Sequence, residues 1–139
     1  MTETPDSSTS PSITRAAAEE QTTSILDRVI ASFPDGAVAS RRTIDWTLLA
    51  CSDTEVSAAG GAWLTLARDV DVDAAYDAMI AAVRDDGYTA TTDTTGKRVE
   101  RLTITGADDD QFLITVYNDT QKVRISSFSQ CFQGSLTDG

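Results

Sequence analysis

The chain has 139 residues, 40% of them hydrophobic, and a formal net charge of -11 from 22 acidic and 11 basic residues. This length and apolar content are typical of one domain with a core of its own. The acidic excess repels phosphate backbones and anionic lipid headgroups, so we expect neither nucleic-acid nor peripheral membrane binding. No apolar run approaches the ~20 residues of a membrane-spanning helix.

The N-terminal stretch differs from the rest of the chain. Residues 1–10 are rich in Ser, Thr and Pro and, apart from Met1, hold no large apolar side chain. They cannot offset the entropy cost of ordering, so we expect a disordered polar tether, followed by a single domain over 11–133 and a flexible tail over 134–139. Met1 does not begin a basic-then-apolar signal peptide. Polar stretches of this kind follow cleaved leaders, and we expect Met1 to stand where a leader or a lipid-bearing cysteine was removed.

A first helix is predicted after this stretch. Ser10 and Pro11 suit the N-cap and the first helical position. Residues 16–21 favour helix, and Pro34 with the glycine that follows ends it. The 3.6-residue spacing predicts one apolar face, formed by Ile25, Leu26, Val29, Ile30 and Phe33.

From Arg41 the apolar period changes to two, which predicts a half-buried strand. Ile44, Trp46, Leu48 and Ala50 alternate there with polar residues. The polar stretch 52–60 then leads into a second strand over 62–67. We expect these two strands to form a hairpin with a long loop.

A second amphipathic helix is predicted over 74–83, with an aspartate cap before it and Gly87 after it. Its apolar stripe contains Tyr76, Met79, Ile80 and Val83. Four strands rich in Thr, Val and Ile follow, over 88–93, 98–105, 111–117 and 122–131. The order α-β-β-α-β-β-β-β with short connections predicts an α+β two-layer domain, in which two helices pack on one face of an antiparallel sheet of five to six strands.

Cys51 and Cys131 are the only cysteines, and each closes a predicted strand. If they are joined, the first and last strands are neighbours or near neighbours, because Cα atoms of bridged cysteines lie about 5.5 Å apart. Two buried thiols in a cytosolic protein are the alternative. A catalytic thiol is disfavoured, because the chain has no C-x-x-C motif and no histidine.

Acidic residues give the weak candidates for chemistry. Asp69, Asp71 and Asp73 resemble the start of a calcium loop, but its glycine and glutamate positions are Ala74 and Ile80, and helix capping explains the same aspartates. The acidic turn 108–110 suits a weak divalent-cation site or simply a solvated turn. A hydrolase would need a carboxylate pair in a cleft, which the sequence does not reveal. We expect no metal, no cofactor and no enzymatic activity.

Aromatic residues give the candidate surface. If Ala50 paired with Gly61, Trp46 and Trp63 would lie diagonally on one sheet face, whereas a shift of one residue would separate them. Together they form part of the core or, if exposed, a platform for a sugar or peptide. One layer of helices covers only one face of a sheet, so apolar residues on the other face form a potential partner interface or a small lipid groove; an edge effect is the alternative. The candidate surface contains Trp46, Trp63, Tyr117 and Phe128.

The segments 48–53 (LLACSD) and 125–132 (ISSFSQCF) carry a resemblance. Together with the Asp-capped central helix, they resemble a small domain of exported actinobacterial lipoproteins whose function is undefined. The resemblance covers residues 12–133. It implies a disulfide between Cys51 and Cys131 and a lipid-anchored location at the cell surface.

These features are compatible with three functions. The leading one is a non-catalytic, extracytoplasmic binding or interaction domain, expected to be a monomer with an unidentified envelope partner. The second is a carrier or sensor of a small apolar or sugar ligand in a groove between helices and sheet. The third is a carboxylate-pair hydrolase. A cavity, an open patch or an acidic cleft would discriminate among them.

Overall fold

The computed structural model describes residues 13–94 and 99–134, which form two helices and seven strands. The expected tether over 1–10 lies outside these residues, as does the expected tail except for Gly134. The helices are α1 (Arg15–Ala31) and α2 (Val72–Arg84). The strands are β1 (Val38–Ala50), β2 (Glu55–Leu66), β3 (Thr89–Thr94), β4 (Glu100–Thr105), β5 (Gln111–Tyr117), β6 (Lys122–Phe128) and β7 (Phe132–Gln133).

Both helices begin at a capping side chain. Thr14 accepts a hydrogen bond from the backbone N–H of Ala17, and Asp71 accepts one from that of Ala74. Each cap satisfies an N–H that has no partner within the helix. The α1 helix thus begins at Arg15, and its cap is Thr14, four residues after the cap that the sequence predicted. The expected cap at Ser10 lies outside the described residues.

The sheet is antiparallel throughout, in the order β1-β2-β6-β5-β4-β3, with β7 paired to the first residues of β2. Both helices pack on the same face of this sheet. Alternate residues of the central strands enter one core with the apolar stripes of α1 and α2. The α+β class, the two helices and the antiparallel sheet are therefore confirmed, with one strand more than expected. The largest fully buried side chains of the core include Leu64, Met79, Leu102, Ile104, Phe112, Ile114 and Ile125.

The first hairpin differs most from the prediction. β2 begins at Glu55, so most of the polar stretch 52–60 is strand and the connecting loop is short. The small residues explain why. At Gly60 an added Cβ would lie 2.9 Å from the Trp46 ring, so the strand needs a residue without a side chain there. Low strand propensity was overridden by close packing.

The end of the chain also differs from the prediction. β6 ends at Phe128, and Cys131 precedes the short strand β7 instead of closing β6. Cys51 and Cys131 form a disulfide with their Cα atoms 6.3 Å apart. β2 lies between β1 and β6, so the first and last long strands are near neighbours, as the pairing required. Beside the bond lies a small second core of Ala18, Val56, Ala58 and Phe132.

Candidate functional site

The sheet face opposite the helices is the candidate functional site, and we call it the open face. Strand register fixes which residues share it. Arg42 on β1 pairs with Trp63 on β2, and Trp63 pairs with Arg124 on β6. The neighbouring core residue on β2, Leu64, faces the helices, so these three side chains face away from them. No helix or strand within residues 13–94 and 99–134 covers this side.

Trp63 lies at the centre of this row and is half-buried. The guanidinium carbon of Arg124 lies 5.4 Å from the centre of the Trp63 ring, within the range of a cation–π contact. At an exposed site such a contact contributes about 0.5–1 kcal/mol. Lys122 lies beside the row, where its ammonium donates to the Thr65 hydroxyl at 3.0 Å. Stacking holds one guanidinium and one indole in a defined mutual position.

Unpaired positive charge is concentrated on the open face. Within the described ranges, Arg42, Lys122 and Arg124 form no ion pair. The four ion pairs found there are Arg15–Glu19, Arg28–Asp86, Arg41–Asp27 and Arg101–Asp93. Three unpaired cations on one face contrast with a net charge of -11 for the chain. Such a local concentration of charge attracts anionic groups.

Two grooves flank Trp63, and both are open to solvent. One has a volume of about 280 Å³ and is lined by Ser40, Thr65 and Lys122. The other has a volume of about 430 Å³ and is lined by Ile44, Asp45 and Arg124. A third groove of about 180 Å³ continues along β6 to Phe128. These shallow grooves suit an extended or flat ligand better than a compact one that must be enclosed.

The structure separates the four aromatic residues of the candidate surface. Trp63, Tyr117 and Phe128 lie at open-face positions of β2, β5 and β6. Trp46 lies on the helix side, where it packs on the second core. The reason is register: Ala50 pairs with Val56 and not with Gly61, so the two tryptophans lie on opposite faces.

The cations of the open face were missed by the sequence analysis. A signal was present, because Lys122, Arg124 and Ser126 alternate with the buried residues of β6. Alternation places such residues on one face. Their proximity to Arg42 depends on strand order, which the sequence does not reveal.

The calcium candidates have structural roles. Asp71 caps α2, and Asp69 accepts a hydrogen bond from the side-chain amide of Gln121. In the turn before β5, Asp110 is buried and accepts a hydrogen bond from the Tyr88 hydroxyl. Burial, together with this bond, raises the pKa of Tyr88 above its ordinary range. In the described part of the chain, no group of three or more Asp, Glu, Cys or His residues is arranged to hold a metal ion.

A separate, acidic groove lies between α2 and the strands β3 and β4. Its volume is about 460 Å³, and its lining includes Asp73, Asp77 and Glu100. Partial loss of hydration raises the pKa of Glu100, and the hydrogen bond and negative charge of Asp73 raise it further. Beneath the groove, burial raises the pKa of Tyr76 to about 12. The Tyr76 hydroxyl lies 2.8 Å from the backbone carbonyl oxygen of Glu100.

Fold and site together define a two-layer α+β domain that is cross-linked by one disulfide. One face of its sheet is open and carries cationic and aromatic side chains. No family model, no curated protein and no solved structure gives a significant match to the chain. Neither described helix is long and apolar enough to cross a membrane.

Proposed function

We propose that this chain is a non-catalytic, extracytoplasmic binding domain that contacts its partner through the open face. The observation that carries the proposal is the arrangement of Trp63 between Arg42 and Arg124 on a face that no described element covers. Trp, Tyr and Arg are the residue types that dominate the energetics of protein interfaces. An aromatic ring and two guanidinium groups in one row therefore favour binding.

The disulfide supports an oxidising compartment for this function. Both cysteines are exposed, and disulfides of this kind persist outside the reducing cytosol. A lipoprotein-like attachment at the cell surface, through the residues before α1, completes the proposal, and it rests on the resemblance alone. Alkylation of the native protein under non-reducing conditions, followed by mass spectrometry, tests the compartment. Two modified cysteines would contradict it.

A capture experiment tests the binding function. The oxidised full chain is immobilised and incubated with the cell-envelope fraction of the organism that encodes it. The same is done with Trp63→Ala and with Ile80→Ala, a comparable truncation in the acidic groove. We expect wild type and Ile80→Ala to retain the same molecules and Trp63→Ala to lose them. Equal retention by all three proteins would contradict the use of the open face.

The carrier or sensor is the second candidate, and the same experiment tests it. The observation in its favour is that grooves of about 420 and 460 Å³ lie between helices and sheet. Their linings are rich in carboxylates, which suits a polar ligand such as a sugar better than an apolar one. Loss of binding in Ile80→Ala but not in Trp63→Ala would favour this function.

The hydrolase is the third candidate, and Glu100 is the observation in its favour. A carboxyl group with a raised pKa beside a second carboxylate is the usual pairing of general acid and base. Hydrolysis of glycoside substrates that is abolished in both Glu100→Gln and Asp73→Asn would support this function. Activity that survives both substitutions would exclude the groove as its site.

A further inference from the structure

We propose that the open face binds an acidic segment of a partner protein, whose carboxylates pair with Arg42, Lys122 and Arg124 while an apolar side chain packs on Trp63. This inference rests on the proposed binding function and identifies the chemistry of the partner. It follows from three observations: the unpaired cations, their spacing across the strands, and the apolar groups between them.

The unpaired cations define the charge of the partner. Arg101, on the same face, is neutralised by Asp93, with its guanidinium nitrogen 2.9 Å from the carboxylate. Arg42, Lys122 and Arg124 lack such a carboxylate among the residues the structure describes. Guanidinium groups bind carboxylates through two parallel hydrogen bonds, which gives direction as well as affinity. The three cations of this row can therefore pair with a ligand that carries several carboxylates.

The spacing of the cations defines the shape of the partner. Arg42 and Arg124 are separated by one strand, so their backbones lie about 9.5 Å apart at the usual strand spacing. Lys122 is two residues from Arg124 on the same strand, about 7 Å away. One small anion cannot span these distances. Carboxylates two or three residues apart on an extended chain can, because each residue advances the chain by about 3.4 Å.

The apolar groups favour a polypeptide over a phosphate polymer or an acidic glycan. Trp63, Ile44 and Phe128 line the same grooves as the cations. A polyphosphate would leave this apolar surface without a partner, whereas a segment with alternating acidic and apolar residues would cover both.

A second copy of the chain is a poorer occupant than a separate acidic segment. Each copy carries a net charge of -11, so the acidic surfaces of two whole molecules repel each other once they are brought into contact. A short segment meets mainly the local cations, because charges more than about 8 Å away are largely screened at physiological ionic strength.

Fluorescence anisotropy with a labelled peptide tests the proposal. The probe is a short peptide in which glutamate alternates with leucine and tyrosine, and its control replaces every glutamate with glutamine. The protein is the oxidised full chain. We expect the acidic peptide to bind, and its affinity to fall as salt is raised. We expect Arg42→Gln and Arg124→Gln each to weaken binding roughly tenfold, and Trp63→Ala by at least as much. Arg84→Gln, the same charge change on an exposed residue of α2, should leave binding unchanged.

Each other outcome overturns the proposal in a distinguishable way. Equal binding of the glutamine peptide would show that the face does not select acidic segments. Polyphosphate binding that is as tight as the peptide's and insensitive to Trp63→Ala would show a general anion surface. Sedimentation that reveals self-association lost in Arg42→Gln, without peptide binding, would identify a second copy as the occupant. If no probe binds, the acidic segment is wrong, while capture that depends on Trp63 would still support the binding function.

Discussion

Removal of the disulfide should cost a large share of the stability of this domain. In the double variant Cys51→Ser, Cys131→Ser the unfolded chain regains the freedom that the cross-link removed. For a sequence separation of 80 residues, the chain-entropy relation gives about 4.5 kcal/mol at 25 °C. Domains of this size have a total stability of roughly 5–15 kcal/mol. We therefore expect a folded but much weakened protein.

The loss should be distributed unevenly over the fold. β7 is held by two residue pairs with β2, Glu55 with Gln133 and Val56 with Phe132. Without the bond, these pairs and the small second core must hold β7 alone, whereas the main core of helices and sheet retains all its contacts. Amide exchange should accelerate first around Phe132 and Val56. The centre of β5 should remain protected up to global unfolding.

Urea denaturation of the wild type and the double variant, under oxidising conditions, measures the effect. We expect the free energy of unfolding to fall by about 3–5 kcal/mol. Both cysteines are exposed, so wild type treated with a thiol reductant should behave as the double variant does. A difference below ~1 kcal/mol would refute the loop-entropy argument for this bond. If exchange at Phe132 and Val56 accelerated no more than exchange at the centre of β5, which follows the global free energy of unfolding, the idea that the bond also holds the β7 end locally would be refuted.

The remaining predictions concern backbone, core and titration. Gly61→Ala should lower the free energy of unfolding by about 3 kcal/mol or more, because its Cβ would lie 1.9 Å from a carbonyl oxygen of β6. In urea denaturation Gly87→Ala, also at positive φ but with nothing within 4 Å, should cost only about 1 kcal/mol. Ser127→Ala should raise that free energy by about 1 kcal/mol, since this buried hydroxyl has no hydrogen-bond partner in the part of the chain described; a loss of stability would indicate that it has one. Carboxyl NMR should find the pKa of Glu100 above its ordinary 4.5 and lowered in Asp73→Asn. Because folding raises the pKa of this carboxyl group, the free energy of unfolding should decline as pH rises from 4.5 through the pKa of Glu100 in the folded state. Glu100→Gln should remove that decline.

The elements that could be predicted are those whose apolar pattern agrees with local propensity. The α2 helix follows its expected stripe, with Tyr76, Met79 and Val83 buried. β5 has the predicted bounds, because acidic turn residues precede it and Asn118 follows it. The α+β class follows from the order of these elements.

The elements that could not be predicted depend on contacts distant in sequence. Ser57 and Gly60 lower strand propensity, yet they lie in β2 because Trp46 and β6 pack against that strand. The two pairs of β7 form because the disulfide and Phe132 bring it to β2. The cationic row requires β6 to lie beside β2. Leu66 at the end of β2 and Lys122 at the start of β6 are 56 positions apart, and α2 and three other strands lie between them in the chain.

A β-bulge in the edge strand β1 creates the candidate site. The pairing changes register between Ile44 and Thr47. If the pairing of Leu48 with Ala58 continued unshifted along β1, Arg42 would oppose Leu64 and face the helices, where an unpaired cation is costly. The bulge moves Arg42 beside Trp63 on the open face and leaves Trp46 in the second core. It also moves Ile44 to the open face, which is why the period-two pattern of the sequence misassigned that residue.

The same bulge twists an exposed edge, which discourages pairing with another sheet. One inserted residue thus explains the cationic row and a protected edge.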